Sequence, residues 1–278
     1  MNQITDAQVQ AFQTYLINEE RSSVTVSKYL HDVTYFLRWM GERFLCKDAV
    51  LSYKEMLQKT YAVSSANSML AALNQFFRFC NRPDLCVKQF KVQRAVFCPT
   101  ERELSKEEYR RLITAAERKK NERLSLVIQT ICGTGIRVSE LSQITAEAVK
   151  RGRATVSCKG KTRTVFIVSA LQKRLLCYAR AQRISSGAIF VTKQGNPMNR
   201  CNIWKEMKCL CSLAQVSPQK VFPHNLRHLF ARTFYRMERD IAKLADILGH
   251  SSINTTRIYI IATGREHQRR MENMHLIL

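Results

Sequence analysis

The sequence has little of what marks several classes of protein. Its 278 residues include nine glycines and five prolines, too few for a collagen-like or low-complexity chain. No apolar run approaches the ~18 residues that span a bilayer. The segment from Met1 to Gln10 lacks the basic stretch and apolar core of a secretion signal. These absences predict a soluble, unexported, cytoplasmic protein with no membrane partner.

Cysteine is present, but not in the spacing of a disulfide framework or a metal site. Ten cysteines are scattered over a long chain that shows no export signal, which predicts reduced thiols. Cys201, Cys209 and Cys211 lie closest together, yet no C-x-x-C pair completes a tetrahedral zinc set. A Gly-x-x-x-x-Gly-Lys nucleotide loop is also missing. The sequence therefore predicts no metal and no cofactor.

Positive charge is in large excess and unevenly placed. The chain has 45 Lys and Arg against 22 Asp and Glu, a formal net charge of +23. Residues 1–90 hold ten of the basic and eight of the acidic residues, so +21 of this charge falls in the remaining 188 residues. Such an excess of positive charge is typical of proteins that bind a polyanion. Because no basic amphipathic helix with an aromatic face stands out, nucleic acid is the predicted partner.

The start of the chain has the pattern of amphipathic helices with cap signals. Thr5 and Gln8 form a capping box before an apolar helical face. Ser23 or Thr25 can cap a second helix, which Gly41 ends.

Two further helices are expected in the same region, at residues 52–59 and from about Ser65 to Cys80. Four apolar faces need one another for burial, which predicts a four-helix domain over residues 1–92.

A change of pattern follows at residues 93–103, which show no clean period and contain Pro99. We expect an extended linker there. Ser105 and Glu108 then form a second capping box, which opens a second domain over residues 104–278.

This second domain is expected to be mostly helical with a small amount of β structure. In residues 154–168, β-branched residues alternate with others on either side of Lys159-Gly-Lys-Thr162. This pattern predicts a hairpin with a basic tip. Residues 189–191 suggest one more short strand. The chain as a whole is predicted to be mainly α, with one small β-hairpin or sheet.

Arg137 is the first candidate site residue. Thr134 and Gly135 end an apolar helix, and Arg137 then falls in the first turn of the next. A cation at a helix N-terminus is disfavoured by the helix dipole and calls for an anion. Glu140, three residues on, or a phosphate would each serve.

A second candidate group is His224, Arg227 and His228. Their spacing places them on one face of a helix that Pro223 helps to start. Burying two imidazoles and a guanidinium together without an anion would carry a desolvation penalty.

The third candidate segment carries His250 and Tyr259. Asp240 caps a short helix that Gly249 ends, and a following helix, capped by Ser251 or Ser252, carries the tyrosine. This order predicts an exposed His250 in the turn. Tyr259 is then either a presented phenol or a core aromatic among isoleucines.

Together these motifs resemble the tyrosine recombinase (phage integrase) family, in its Xer-like two-domain form. The matching stretches are Gly-Ile-Arg-Val-Ser-Glu-Leu, His-Asn-Leu-Arg-His, and Leu-Gly-His followed nine residues later by Tyr. Residues 25–39 also resemble the family's core-binding domain. The similarity covers about residues 5 to 275.

The resemblance implies a role for each matching residue. Arg137 and Arg227 would grip the scissile phosphate, His224 and His250 match the family's two histidine positions, and Tyr259 matches the nucleophile. Lys159 corresponds best to the hairpin lysine that acts as general acid, with Lys161 as the runner-up. His228 would be a supporting residue. Arg232 stands where a small Thr is usual, and Ile167 where a Pro often follows the hairpin.

The implied function is site-specific recombination or integration of double-stranded DNA through a 3′-phosphotyrosyl intermediate. The resemblance also implies a homo-tetramer on two DNA sites, in which residues after Tyr259 form a helix that passes to the neighbouring protomer; packing on its own domain is the alternative. Accessory proteins are not identified. A type IB topoisomerase that relaxes DNA, or a non-catalytic helical DNA-binding regulator, are the other functions considered.

Overall fold

The computed structural model describes residues 4–91, 103–158, 160–192, 194–260 and 272–274. The chain divides into two compact units, residues 1–94 and 95–278. Both are mainly helical, as predicted. In the described residues no helix has the length and apolar character needed to cross a membrane.

The first unit contains four helices that bury their apolar faces on one another. Phe12, Phe36, Phe76 and Phe77 lie at its centre and are fully buried. Their rings meet edge to face, with centroids 5.1 Å apart for Phe12 and Phe76. The helices are α1 (Asp6–Asn18), α2 (Ser23–Met40), α3 (Lys47–Thr60) and α4 (Val63–Phe79), followed by a 3-10 turn at Pro83–Leu85.

The helix ends in this unit follow the cap signals where such signals exist. The capping box of Thr5 and Gln8 is confirmed, and Gly41 ends α2. The predicted cap of α2 was wrong by one position or more: Ser22 is the N-cap and accepts from the backbone N–H of Thr25. The third helix is longer than the predicted residues 52–59, because it begins five residues earlier.

The second unit packs its helices around a separate apolar core. The capping box of Ser105 and Glu108 is confirmed at the start of its first helix. The helices are α5 (Lys106–Arg118), α6 (Glu122–Thr134), α7 (Ala146–Lys150), α8 (Ser169–Ala181), α9 (Arg200–Lys208), α10 (Cys211–Ala214), α11 (Pro223–Glu238), α12 (Ile241–Leu248) and α13 (Ile253–Ile260). Short 3-10 turns cover Val138–Gln143 and Pro218–Lys220.

The predicted hairpin is confirmed. Strands β1 (Arg153–Cys158) and β2 (Lys161–Phe166) pair antiparallel, with Val156 opposite Arg163 and Cys158 opposite Lys161. The strand expected at residues 189–191 was wrong: Val191 makes only an isolated bridge to Pro197. An extended run with one bridging pair has too few ladder bonds to form a strand.

Helix α6 lies in the core of the second unit, and the turn after it packs against α11. Leu124, Val127, Ile128 and Ile131 are buried in the core of the second unit. Gly135 ends the helix in the left-handed conformation, with φ 66°. A Cβ at this position would lie 2.4 Å from the ring of Phe230 on α11. Glycine therefore lets the turn lie directly against α11.

The proposed linker, residues 93–103, falls almost wholly outside the described residues. So does the tail predicted after Tyr259, apart from residues 272–274. The domain limits given above stay predictions.

Candidate active site

Three segments of the second unit converge on one place. They are the turn from Gly135 to Gln143, the first two turns of α11, and the loop after α12 together with α13. The side chains of His224, Arg227, His250 and Tyr259 contact one another, and Arg137 donates to the carbonyl of Gly249, next to His250. The sequence motifs, separated by up to 122 positions in the chain, thus form one cluster.

Tyr259 lies at the centre of this cluster. Its phenol oxygen is 3.3 Å from Nε2 of His224. Its ring is 6% exposed and packs beside Ala231, Leu244 and Leu248. The sequence allowed Tyr259 to be either a presented phenol or a core aromatic. Its ring is buried as a core aromatic would be, while its hydroxyl lies beside a polar partner.

Arg227 lies beneath that ring. Its side chain is 1% exposed, and its Cζ is 5.9 Å from the ring centroid of Tyr259. Its two Nη groups donate to the carbonyls of Gly135 and Leu248 at 2.6 and 2.7 Å, whereas its buried Nε has no partner among the described residues. Burial and the charge of Arg137 lower the pKa of Arg227 to about 10. It remains a cation at neutral pH, with donor capacity left for an anion.

Arg137 precedes the 3-10 turn at its N-cap, rather than lying in the first turn of a helix as predicted. Its backbone N–H and Nη1 donate to the carboxylate of Glu140, at 2.7 and 3.0 Å. Glu140 is thus one of the two anions that the sequence allowed. The side chain of Arg137 is still 31% exposed, so the same guanidinium can also meet a phosphate.

His250 is half-buried rather than exposed as predicted. Its Nε2 lies 2.9 Å from Nη2 of Arg227. An arginine only donates, so Nε2 accepts, and Nδ1 then carries the proton toward Oγ1 of Thr256 at 2.9 Å. Burial and the charge of Arg227 lower the pKa of His250 to about 4. The imidazole is therefore neutral at physiological pH.

The pKa of His224 is also lowered, first by partial desolvation and then by the charges of Arg227 and Arg137, although the residue keeps an exposed surface. A neutral Nε2 that faces the phenol of Tyr259 can accept its proton.

His228 contacts Tyr259 directly, whereas sequence reasoning gave it only a supporting role. Its ring stacks on that of Tyr259, with centroids 4.2 Å apart, and meets His224 edge to face. Burial lowers its pKa to about 3, with a further contribution from His224. The i, i+4 spacing from His224 was the available signal for this contact.

Of the two candidate lysines, only Lys161 falls within the described residues. Lys159 falls outside the described residues, so the structure gives it no position. Lys161 is exposed at the first position of β2.

Arg163 was missed by sequence reasoning. Both of its Nη groups donate to the buried carboxylate of Glu140, at 2.7 and 2.8 Å. The signal was present in the alternation of β2, because Arg163 shares a strand face with the buried Val165.

Within the described residues, no three His, Cys, Asp or Glu side chains are grouped to hold a metal ion. Arg232, the departure from the usual Thr, bonds to the carbonyl of Leu104 and to the carboxylate of Glu103, away from the site. The fold and this cluster of cations and neutral imidazoles around one tyrosine define an enzyme class that attacks DNA phosphodiesters with a phenol.

Comparison with known proteins agrees. Residues 102–265 match the family model for the phage integrase family, and residues 9–83 match the phage integrase N-terminal SAM-like domain. The chain is 29% identical to the tyrosine recombinase XerA of Thermococcus kodakarensis over 280 residues, which cover 97% of this chain and 95% of that protein.

Solved structures share the fold. A crystal structure of XerA recombinase is 25% identical, with a TM-score of 0.54 over 99% of this chain and 100% of that one. A lambda integrase tetramer bound to a Holliday junction has a TM-score of 0.70 at 17% identity, over 91% of this chain and 76% of that one. The chain belongs to the phage integrase family. It is a tyrosine-type site-specific DNA recombinase.

Proposed function

We propose that Tyr259 is the nucleophile with which this recombinase cleaves DNA. The observation that carries this proposal is the distance of 3.3 Å between its phenol oxygen and the neutral Nε2 of His224, directly over the guanidinium of Arg227. A phenol needs both a proton acceptor and nearby positive charge to act near neutral pH. This arrangement supplies both.

The chemical step follows from these positions. The oxygen of Tyr259 forms a bond to the scissile phosphorus, and the bond from phosphorus to the 5′ oxygen breaks, which leaves a 3′-phosphotyrosyl intermediate. The tyrosine proton passes to His224. The 5′ oxygen takes a proton from the hairpin lysine, which we assign as Lys159, with Lys161 as the alternative.

The charge that builds on the phosphoryl oxygens is met by fixed donors. Arg137 and Arg227 donate to these oxygens, and Nε2 of His250, which accepts from Arg227, orients that guanidinium. Rejoining reverses the step with a new 5′ hydroxyl, so the phosphotyrosyl bond conserves the energy of the phosphodiester and no cofactor takes part.

The assembly we propose is a homo-tetramer on two sites in double-stranded DNA. The lambda integrase tetramer on a Holliday junction, which shares this fold, supports it. Residues 1–92 would form the core-binding domain, 93–103 the linker and 104–278 the catalytic domain, with the tail after Tyr259 passed to a neighbour. Eight cysteines among the described residues are free, which fits a reducing, cytoplasmic location.

A nicked suicide substrate tests the chemistry. The substrate is the duplex that the full chain enriches from a random-sequence pool, nicked beside the scissile phosphate so that the 5′ fragment diffuses away and rejoining is blocked. We expect a covalent protein–DNA adduct that denaturants do not dissociate, and its loss in Tyr259→Phe.

Tyr235→Phe is the matched control, because Tyr235 also packs against the small cluster around Tyr259, whereas the hydroxyl of Tyr259 is paired with His224. It should form the adduct at the wild-type rate. If no adduct forms with the wild type on any enriched duplex, the protein is a DNA-binding regulator. Relaxation of supercoiled DNA without site dependence would indicate a topoisomerase instead.

A further inference from the structure

Arg163 is a buried cation beside the site, and each of its three nitrogens donates a hydrogen bond to the protein. Its two Nη groups fork onto Glu140, and its Nε donates to the carbonyl of Ile247 at 3.0 Å. Its side chain is 11% exposed, and that of Glu140 is 1% exposed. Because each of its three nitrogens is bonded to the protein and the side chain is almost fully buried, we assign Arg163 a structural role rather than that of a third phosphate-binding arginine.

The partners of Arg163 are the groups that hold the phosphate-binding residues. Glu140 also receives the backbone N–H and Nη1 of Arg137, so one buried carboxylate joins Arg163 to Arg137. The end of α12 connects Arg163 to Arg227 and again to Arg137. Three successive carbonyls there each accept from one arginine: Ile247 from Arg163, Leu248 from Arg227, and Gly249 from Arg137.

Arg163 is at the same time part of the hairpin. It stands four residues after Lys159 and two after Lys161, on the strand that leaves the tip. The opposite strand is held by the same 3-10 turn, because the side chain of Gln143 bonds both the N–H and the carbonyl of Ser157. Both strands are therefore tied, close to the tip, to the turn that follows Arg137.

The geometry points to Arg163 as a positioning residue that sets the hairpin lysine against the phosphate held by Arg137 and Arg227. The inference rests on the proposed function. In the cleavage step, the proton of the lysine must arrive at the 5′ oxygen as the bond to phosphorus breaks. If the hairpin is released, the phosphate remains held but the leaving oxygen departs without its proton.

A substrate with sulfur in place of the bridging 5′ oxygen separates this role from a merely structural one. A thiol has a far lower pKa than an alcohol, so a 5′ thiolate leaves without protonation. A defect in proton delivery disappears on such a substrate, whereas a defect in phosphate binding or folding persists.

The experiment measures single-turnover adduct formation by the full chain on the nicked duplex, with 5′ oxygen and with 5′ sulfur. The variants are Arg163→Lys, which keeps the charge beside Glu140 but loses the fork, and Arg163→Ala. We expect both to be slower on the oxygen substrate by on the order of a hundredfold, the usual size of a general-acid contribution. On the sulfur substrate they should fall within about threefold of wild type, the spread allowed for intact phosphate binding.

Three further variants calibrate the result. Lys159→Ala and Lys161→Ala identify the general acid. The variant that lacks it should be slow on the oxygen substrate and near the wild-type rate on the sulfur substrate. Arg153→Ala, an exposed arginine at the far end of the same hairpin, should leave the ratio of sulfur to oxygen rates at the wild-type value.

Equal slowing of the Arg163 variants on both substrates would overturn the inference, and so would wild-type rates on oxygen. Loss of folding in the Arg163 variants would also overturn the inference. It would be recognised from the amplitude of adduct formation on the sulfur substrate, which measures the fraction of active protein. A failure of the proposed function looks different: the wild type itself then forms no Tyr259-dependent adduct on either substrate.

Discussion

His228 and Tyr259 lie ring against ring, with centroids 4.2 Å apart and 22° between their planes. The stacking places a half-buried, neutral imidazole directly behind the proposed nucleophile. Protonating it would add a positive charge near those of Arg232 and Arg227. The aromatic contact therefore ties the stability of the site to pH.

The first prediction is that acid destabilises the second unit through its histidines. The folded-state pKa is about 3 for His228 and about 4 for His250, both below the ~6.5 of an unfolded histidine. Below about pH 6.5 the unfolded chain binds protons that the folded chain does not, so stability is fully present above that pH and is lost as the pH falls.

His228→Phe keeps a flat ring and removes one proton site. Between pH 7 and pH 5 we expect its melting midpoint in calorimetry to fall by about 4 °C less than that of wild type. His31→Phe, at an exposed position of α2, is the control and should follow wild type. Identical acid slopes for all three proteins would show that His228 takes no part.

The second prediction concerns the forked donors of Arg227. Lysine keeps the charge but cannot reach the carbonyls of Gly135 and Leu248 and the ring of His250 at once. Arg227→Lys should slow adduct formation by on the order of a hundredfold, or about 3 kcal/mol of barrier. Arg232→Lys, on the same helix but bonded to Leu104, should stay within about threefold of wild type. Comparable rates for the two variants would refute the assignment.

The third prediction concerns the close approach of α6 and α11. Gly135→Ala places a Cβ 2.4 Å from Phe230 in a left-handed conformation, which should cost about 3 kcal/mol of unfolding free energy. Gly187→Ala has the same sign of φ, 74°, with no atom within 4 Å. It should cost only about 1 kcal/mol. Denaturant unfolding of both variants checks the difference, and equal losses would mean that the ring of Phe230 yields without penalty.

The fourth prediction follows from the distribution of charge. A fragment beginning near residue 100 should retain DNA binding, because most of the net charge of +23 lies after residue 90. Its dissociation constant should rise at least about tenfold between 50 and 200 mM salt as phosphate contacts are screened. Fluorescence anisotropy measures this, with residues 1–94 as the weakly charged comparison. Binding that is insensitive to salt would contradict the expectation.

The fifth prediction concerns the chain after Tyr259. Truncation before Glu266 should leave binding of one protomer to DNA intact and abolish tetramers on paired sites, because the tail is proposed to bridge neighbours. Native gels and light scattering distinguish these states. Intact tetramers in the truncated protein would place the tail on its own domain.

Local structure was predictable wherever the chain carries its own signal. The capping boxes of Thr5 with Gln8 and Ser105 with Glu108 are confirmed, because each needs only neighbours along the chain. The start of α3 was missed by several residues since Cys46 provides no side-chain cap. Helix α4 begins two residues before the expected Ser65, and its N-cap residue, Ala62, likewise provides no side-chain cap.

The contacts that build the site could not be read from sequence. Arg227 donates to a carbonyl 92 residues away, and Arg163 reaches Glu140 across 23 residues. Such pairs depend on how α11 and the hairpin pack against the turn after α6. The residue types and their local faces were visible in advance, while their burial and hydrogen-bond partners required the fold.

The ring of Tyr259 roofs the guanidinium of Arg227, and neither side chain is open to solvent. A phosphate that contacts this arginine must therefore displace groups that now cover it. In this arrangement, the guanidinium is shielded from small phosphate esters in solution. We expect DNA binding to include a local rearrangement around Arg227 before a strand is cut.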